Sequence, residues 1–232
     1  MRRGPTPIAL PLRASRCAAA EGSARADGSR SDMPLYNEGM EFSMATLTSL
    51  FVGLGLAAAC GFRIFVPFLV MSIAAHSGHL ELGGGFQWIA TTPALVAFAT
   101  ATLFEIAAYY IPWVDNLLDT LAAPSAVVAG TIVTASALTD IDPFLKWTLA
   151  AIGGGGIAGI VQAATTAIRH TSTLTTGGLA NPLVSTVEAG GAVVFAILAI
   201  VLPVIAFALV VLLLVLLARK LLAWRSRRPA SA

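Results

Sequence analysis

Long apolar runs separated by short polar interruptions make up most of this chain, and the runs have the length that crosses a bilayer. From Ala45 to Ala75 there are 31 residues with a single charge, Arg63. A spanning helix needs only about 20 residues at a rise of about 1.5 Å each, so one straight helix is too long. Gly61 weakens helix, and Pro67 lacks an amide hydrogen and clashes with the carbonyl four residues back. The pattern therefore predicts a break between 61 and 67, with Arg63 inside it. HSGHLELGGGFQWIATTP, 76 to 93, has turn glycines and no Lys or Arg, and reads as a non-cytoplasmic loop. A second apolar segment, 94 to 111, holds Glu105 near its middle. PWVDNLLDTLAAP, 112 to 124, reads as a short amphipathic helix opened by a proline. A third span covers 125 to 139, and Asp140, Asp142 and Pro143 form a turn. The fourth span, 147 to 168, contains GGGG and Gly159, which permit close approach of another backbone. TSTLTTGGLANPLVSTVE, 171 to 188, is polar yet lies between spans; the last helix, 189 to 222, carries Pro203 as a kink and a basic end.

These elements predict an all-α, polytopic transmembrane helical bundle of about five or six segments, with one broken helix and one polar re-entrant or unwound element. The membrane domain is expected over 44 to 223, with a basic cytoplasmic tail over 224 to 232. Residues 1 to 43 are rich in Arg, Ser, Ala, Gly and Pro without periodicity, which reads as disorder. IALPL is too short and proline-broken for a signal sequence, and Met33, Met40 and Met44 are alternative starts, so this extension is expected to be a mis-assigned start.

Composition excludes a soluble domain. Apolar residues make up 57% of the 232 positions and DEKR 11%, with mean hydropathy +0.83, against roughly 45–50% and 25% in soluble domains. Of 14 Lys and Arg, six fall in residues 1 to 30 and five in 219 to 228. Residues 42 to 218 hold seven acids against three bases: Arg63, Lys146 and Arg169. Basic flanks on a membrane chain are topology signals and exclude nucleic acid as a partner. Both termini are then cytoplasmic, Arg169 lies inside and the 76 to 91 loop outside; if 171 to 188 dips and returns instead, the N-terminus flips. Cys17 and Cys60 make no disulfide or zinc framework.

A charged side chain at mid-bilayer costs at least about 2.5–3.5 kcal/mol on insertion scales, so buried charges need partners or water. Arg63, Glu105 and Glu188 sit closest to apolar midpoints, and the expected pair is Arg63 with Glu105, with Glu188 as a second acid beside the polar stretch. Two other readings stand beside it: Arg63 ends a first helix over 44 to 62 and snorkels to the headgroups, or the pair is purely structural. Thr175, Thr176, Gly177, Gly178, Asn181 and Pro182 concentrate hydroxyls, flexible backbone and an amide. Non-helical backbone at membrane depth must be covered by protein or line water, so this stretch is either a solute-contacting element or an ordinary loop. Asp115 and Asp119 share a helix face as an interfacial acidic pair. His76, His79 and Glu81 are a weak metal set, because Gly78 and GGG disfavour the helix they need; no metal site and no cofactor motif is expected. PWVDNLLD at 112 to 119 and PLVSTVE at 182 to 188 echo one another, as duplicated transporter halves do.

GLGLAAACGFRIFVPFL, FEIAAYYIPWVDNLLD and TLTTGGLANPLVSTVE, in this order and spacing, resemble the bacterial integral membrane family described as domain of unknown function 4126. The resemblance covers about 45 to 222, and residues 1 to 43 depart from it. It implies an inner-membrane location and assigns no reaction. A small transporter or channel-like protein, with Arg63, Glu105, Glu188 and TTGGLANP lining or gating a path for a small solute or ion, is the favoured function. The alternatives are an enzyme acting on lipid through Asp115 and Asp119 or Glu188, and a non-catalytic membrane scaffold whose glycine-rich helix packs on a partner, with homo-oligomers compatible with any of the three. Where the acids point distinguishes them.

Overall fold

The apolar run that begins at Met44 folds as two helices, α1 (Met44–Cys60) and α2 (Phe65–His76), broken where glycine and proline predict. The structure, a computed structural model, describes residues 44–108, 110–177 and 179–226, so the extension 1 to 43 and the last part of the basic tail lie outside it. After α2 come a 3₁₀ turn (Gln87–Ala90), α3 (Thr92–Ala108), α4 (Pro112–Ala137) and α5 (Pro143–Leu149). A π-helical turn (Ala150–Gly155) leads into α6 (Gly156–Thr176), followed by α7 (Asn181–Val201) and α8 (Pro203–Ser226). There is no strand among the described residues, and the protein is an all-α bundle. Among the described residues, four stretches are long and apolar enough to cross a membrane: 120–137, 143–176, 181–201 and 203–220; α1, α2 and α3 are shorter apolar helices.

The centre of the bundle is α1, every residue of which from Val52 to Cys60 is buried. A helix apolar on all sides belongs inside, and this one is thin enough to be surrounded because its inner half is mostly Gly and Ala. A Cβ on Gly55 would stand 2.7 Å from that of Ala199, and one on Gly61 would stand 2.7 Å from the carbonyl oxygen of Ala158. The same device joins α4 to the π-helical turn and α6: a Cβ on Gly130 would meet the Gly154 carbonyl oxygen at 2.7 Å. The GGGG run thus serves the close backbone approach expected of it, and Thr134 adds a hydrogen bond from its hydroxyl to the carbonyl of Gly53 at 3.1 Å. With lipid outside as apolar as the side chains inside, such contact supplies the packing energy that water would otherwise drive. The non-helical 77 to 86 segment and the 3₁₀ turn after it are tied back to the bundle, with Gly83 N–H donating to the Ser136 carbonyl and the Ser72 hydroxyl donating to the Ile89 carbonyl.

Four expected boundaries shift. The short helix at 112 to 124 and the span at 125 to 139 form one helix, α4, with Pro124 inside it. A proline removes one amide bond, which neighbouring helices and local adjustment offset at membrane depth. The fourth span runs from Pro143 to Thr176 rather than from 147 to 168. Asp142 opens it by accepting hydrogen bonds from Phe144 and Leu145, with Pro143 in the first turn, as the Asp140–Asp142–Pro143 signal suggests. The helix expected from Ala189 already begins at Asn181, where Pro182 needs no donor. It ends at Val201: Leu202 precedes Pro203, a position disfavoured in the α region, and has φ −134° and ψ 67°.

Gly130→Ala tests the backbone contact. Helix propensity alone would favour alanine by about 1 kcal/mol, but overpacking against a carbonyl costs about 1–3 kcal/mol, so the melting temperature of the purified protein in detergent falls. Gly156→Ala, with nothing within 4 Å of the added Cβ, raises it or leaves it unchanged.

Candidate functional site

Gly61 to Ile64 carry the chain from α1 to α2 without helix, and Arg63 points from this break into the protein with 1% of its surface exposed. The snorkelling arrangement is thereby replaced by a buried one. Its Nη2 donates to the carbonyl of Ser185 at 2.9 Å and also to the Ser185 hydroxyl. The same atom stands 3.7 Å from Glu188 Oε2. The closest partner of Glu188 is Arg169, whose Nε donates to both carboxylate oxygens at 3.2 and 3.1 Å and whose Nη2 donates to Oε2. Both partners are buried, Arg169 at 2% and Glu188 at 6% exposure. Glu188 therefore bridges two guanidiniums that reach it from α6 and from the helix break.

Glu105, on α3, serves the other side of the same break. Its Oε1 accepts from the Ile64 amide at 2.8 Å and its Oε2 from the Phe65 amide at 3.0 Å. The first amides of a helix have no partner inside it and carry its positive end. Starting α2 within the apolar run leaves these donors needing an anion, and Glu105 supplies it. Glu105 also lies within electrostatic range of Arg63 and Arg169. The expected Arg63–Glu105 pair is thus corrected in detail: Glu105 accepts from the backbone beside Arg63, while Arg63 Nη2 donates to Ser185 and stands near Glu188. Arg63, Glu105, Glu188 and Arg169 bring two positive and two negative charges from four segments into one neighbourhood.

Arg169 is the member that sequence reasoning missed. It was expected to end a span on the cytoplasmic side, but α6 continues seven residues beyond it, to Thr176. The available signal was Glu188, a lone carboxylate within an apolar run that calls for a cation on a facing helix.

The TTGGLANP stretch forms the tip of the α6–α7 hairpin. Only 177 to 180 falls between the two helices, with Gly177 in the left-handed conformation at φ 63°. Thr175 and Thr176 are exposed, and their hydroxyls donate back to Thr171 and Ser172 of their own helix. Asn181 donates to the Thr173 hydroxyl at 3.0 Å across the tip, and Pro182 stands in the first turn of α7. Gly178 lies outside the described residues. At about 1.5 Å per residue, the tip is about 10 Å along the helix from Arg169, so these positions do not join the charge cluster. The side chains of Asp115 and Asp119 also lie outside the described structure. His76 and His79 bond separately, to the Ala90 carbonyl and the Ser77 hydroxyl. The two echoing sequences are the starts of α4 and α7.

Beside Glu105 is a cavity of about 500 Å³ between the start of α2, α3 and the first half of α4. Ile64, Phe65, Phe104, Leu118, Leu121 and Ala122 are among its apolar walls, and Glu105 is the one ionisable residue among the described lining. Such a volume falls in the range of small-molecule pockets.

The sequence profile described as Domain of unknown function (DUF4126) matches residues 50–223, and the chain belongs to that family. No curated protein and no solved structure matches it.

Removing one partner of a buried pair leaves a charge without its counter-ion at a cost of about 3–5 kcal/mol. Glu188→Ala therefore strongly destabilises the protein in reversible detergent-to-SDS unfolding, and adding Arg169→Leu recovers part of the loss. The coupling energy in this cycle exceeds that between Arg63→Ala and Glu105→Gln.

Proposed function

We propose that this member of the DUF4126 family is a small transporter or channel-like protein of a bacterial inner membrane, in which Arg63, Glu105, Glu188 and Arg169 gate a polar path. The observation that carries the reading is the meeting of these charges at a helix break, beside a cavity that reaches Glu105. A structural ion-pair network needs no adjoining space, and a scaffold needs no interrupted helix. Broken helices in transporters present N-terminal amides to anionic groups of a solute. Here the amides of Ile64 and Phe65 hold the chain's own carboxylate, an internal ligand that rearrangement of α3 would release. The ionic bridge from Glu188 to Arg63 and Arg169 ties the α1–α2 break to the α6–α7 hairpin, so opening at one element changes contacts at the other. The TTGGLANP tip, with its exposed threonines, forms one mouth of the path.

Arg169 is spent on an ion pair and no longer marks a cytoplasmic end, leaving the basic termini against the Lys/Arg-free 76 to 91 loop. Both termini on the cytoplasmic side is the arrangement these favour.

The full chain reconstituted in liposomes tests the function. Proton, sodium and chloride movements are followed with ion-sensitive dyes under an imposed potential. At least one ion crosses well above the protein-free leak, and Glu188→Gln changes that rate by tenfold or more. Rates equal to protein-free liposomes for all three ions, or unaltered by both Glu188→Gln and Glu105→Gln, would overturn the gated path.

A further inference from the structure

The cavity beside Glu105 has a chemistry of its own. Its walls are the start of α2, α3 and the first half of α4, and Glu105 on α3 is the ionisable residue among the described lining. Among the described residues, the lining is apolar except for Glu105 and Ser125. The carboxylate nearest the two arginines is that of Glu188, which bonds Arg169 and stands 3.7 Å from Arg63, while Glu105 turns its oxygens to the amides of the break. Glu105 keeps a second lone-pair direction on each oxygen beyond the amide bond it accepts, because a carboxylate offers about four acceptor sites. An occupant that matches this space has an apolar body for the walls and one cationic, hydrogen-bond-donating head for the carboxylate. A carboxylate or phosphate head would meet the like charge of Glu105.

From this we infer that the cavity between α3 and α4 binds cationic amphiphiles, with a protonated amine seated against Glu105 and the hydrocarbon body along Phe65, Phe104, Leu118 and Leu121. The inference rests on the transport reading only in naming a class of solute for it; the binding site stands or falls separately. A primary ammonium has three donors and bonds a carboxylate through charge-assisted hydrogen bonds, which gain strength in surroundings of low polarity. Seating it places a third donor set on Glu105, in competition with the Ile64 and Phe65 amides. The occupant thus reaches the start of α2 and, through the break, Arg63. Binding at this position is coupled to the gate by one carboxylate and no intervening residue.

The test uses three probes of one chain length: dodecylamine, dodecan-1-ol and dodecanoate. Each is titrated into the full chain in a neutral maltoside detergent and followed calorimetrically. The amine binds saturably at one site, at least tenfold tighter than dodecanoate. Glu105→Gln, which retains an acceptor for the amides, weakens the amine at least tenfold and the alcohol less than threefold. Leu121→Trp, at an exposed wall position, weakens amine and alcohol alike and keeps the result readable should Glu105→Gln fail to fold. Equal binding of all three probes would show a plain acyl-chain groove and overturn the proposal, as would an amine preference that survives Glu105→Gln. Amine binding without any ion movement in liposomes would leave this site standing and remove the transport reading; ion movement without amine preference would do the reverse.

Discussion

A guanidinium taken out of water must be given an anion and hydrogen-bond acceptors, and this fold is arranged around two of them. Arg63 and Arg169 are each nearly inaccessible. Desolvating an ion costs several kcal/mol even after relaxation, a large share of the roughly 5–15 kcal/mol that separates folded from unfolded proteins. Glu188 faces both at once, and the Ser185 carbonyl and hydroxyl accept from Arg63. Glu105 answers the same kind of demand from a different source, the amides opened by the helix break. Remove the break and Glu105 has no donors; remove the α6–α7 hairpin and Arg63 loses its acceptors. Local backbone irregularity and buried charge are therefore one arrangement.

Much of this was legible in the sequence, and the parts that were not share a cause. The break after Gly61, the burial of Arg63, the close packing by GGGG and the turn opened by Asp142 each follow from the chemistry of the residue itself. Arg169 was not legible because basic residues near the end of an apolar run usually report topology, and only a facing acid turns one inward. Glu105 was identified as a partner for the break, but its bonds are to amides, which a reading of side chains leaves out. The hydroxyls of Thr175 and Thr176 looked free because their own helix was expected to end before them; α6 reaches Thr176 and uses them. In each case the missing information was where a helix stops.

Prolines show the same limit from the other direction. Pro67, Pro124 and Pro203 carry one chemistry and have three outcomes. Pro67 sits in the first turn of α2, Pro124 lies within a continuous α4, and Pro203 restarts the chain as α8. Burial of neighbours does not separate the last two, since Ala122 and Ala126 around Pro124 and Ala199 and Ala206 around Pro203 are all buried. What differs is the backbone before the proline, where Leu202 leaves the helical region at φ −134° and ψ 67°.

The π-helical turn at Ala150–Gly155 sets the rotational phase of everything that follows it in α6. Each residue of an α-helix turns the next by about 100°, and a π-helical turn accommodates residues that a regular helix would distribute differently. The azimuth at which Arg169 leaves its axis is therefore fixed some fifteen residues upstream, in a segment with no charge at all. A one-residue insertion or deletion among these glycines would swing the guanidinium away from its carboxylate, so the length of this segment is as constrained as the identity of the ions.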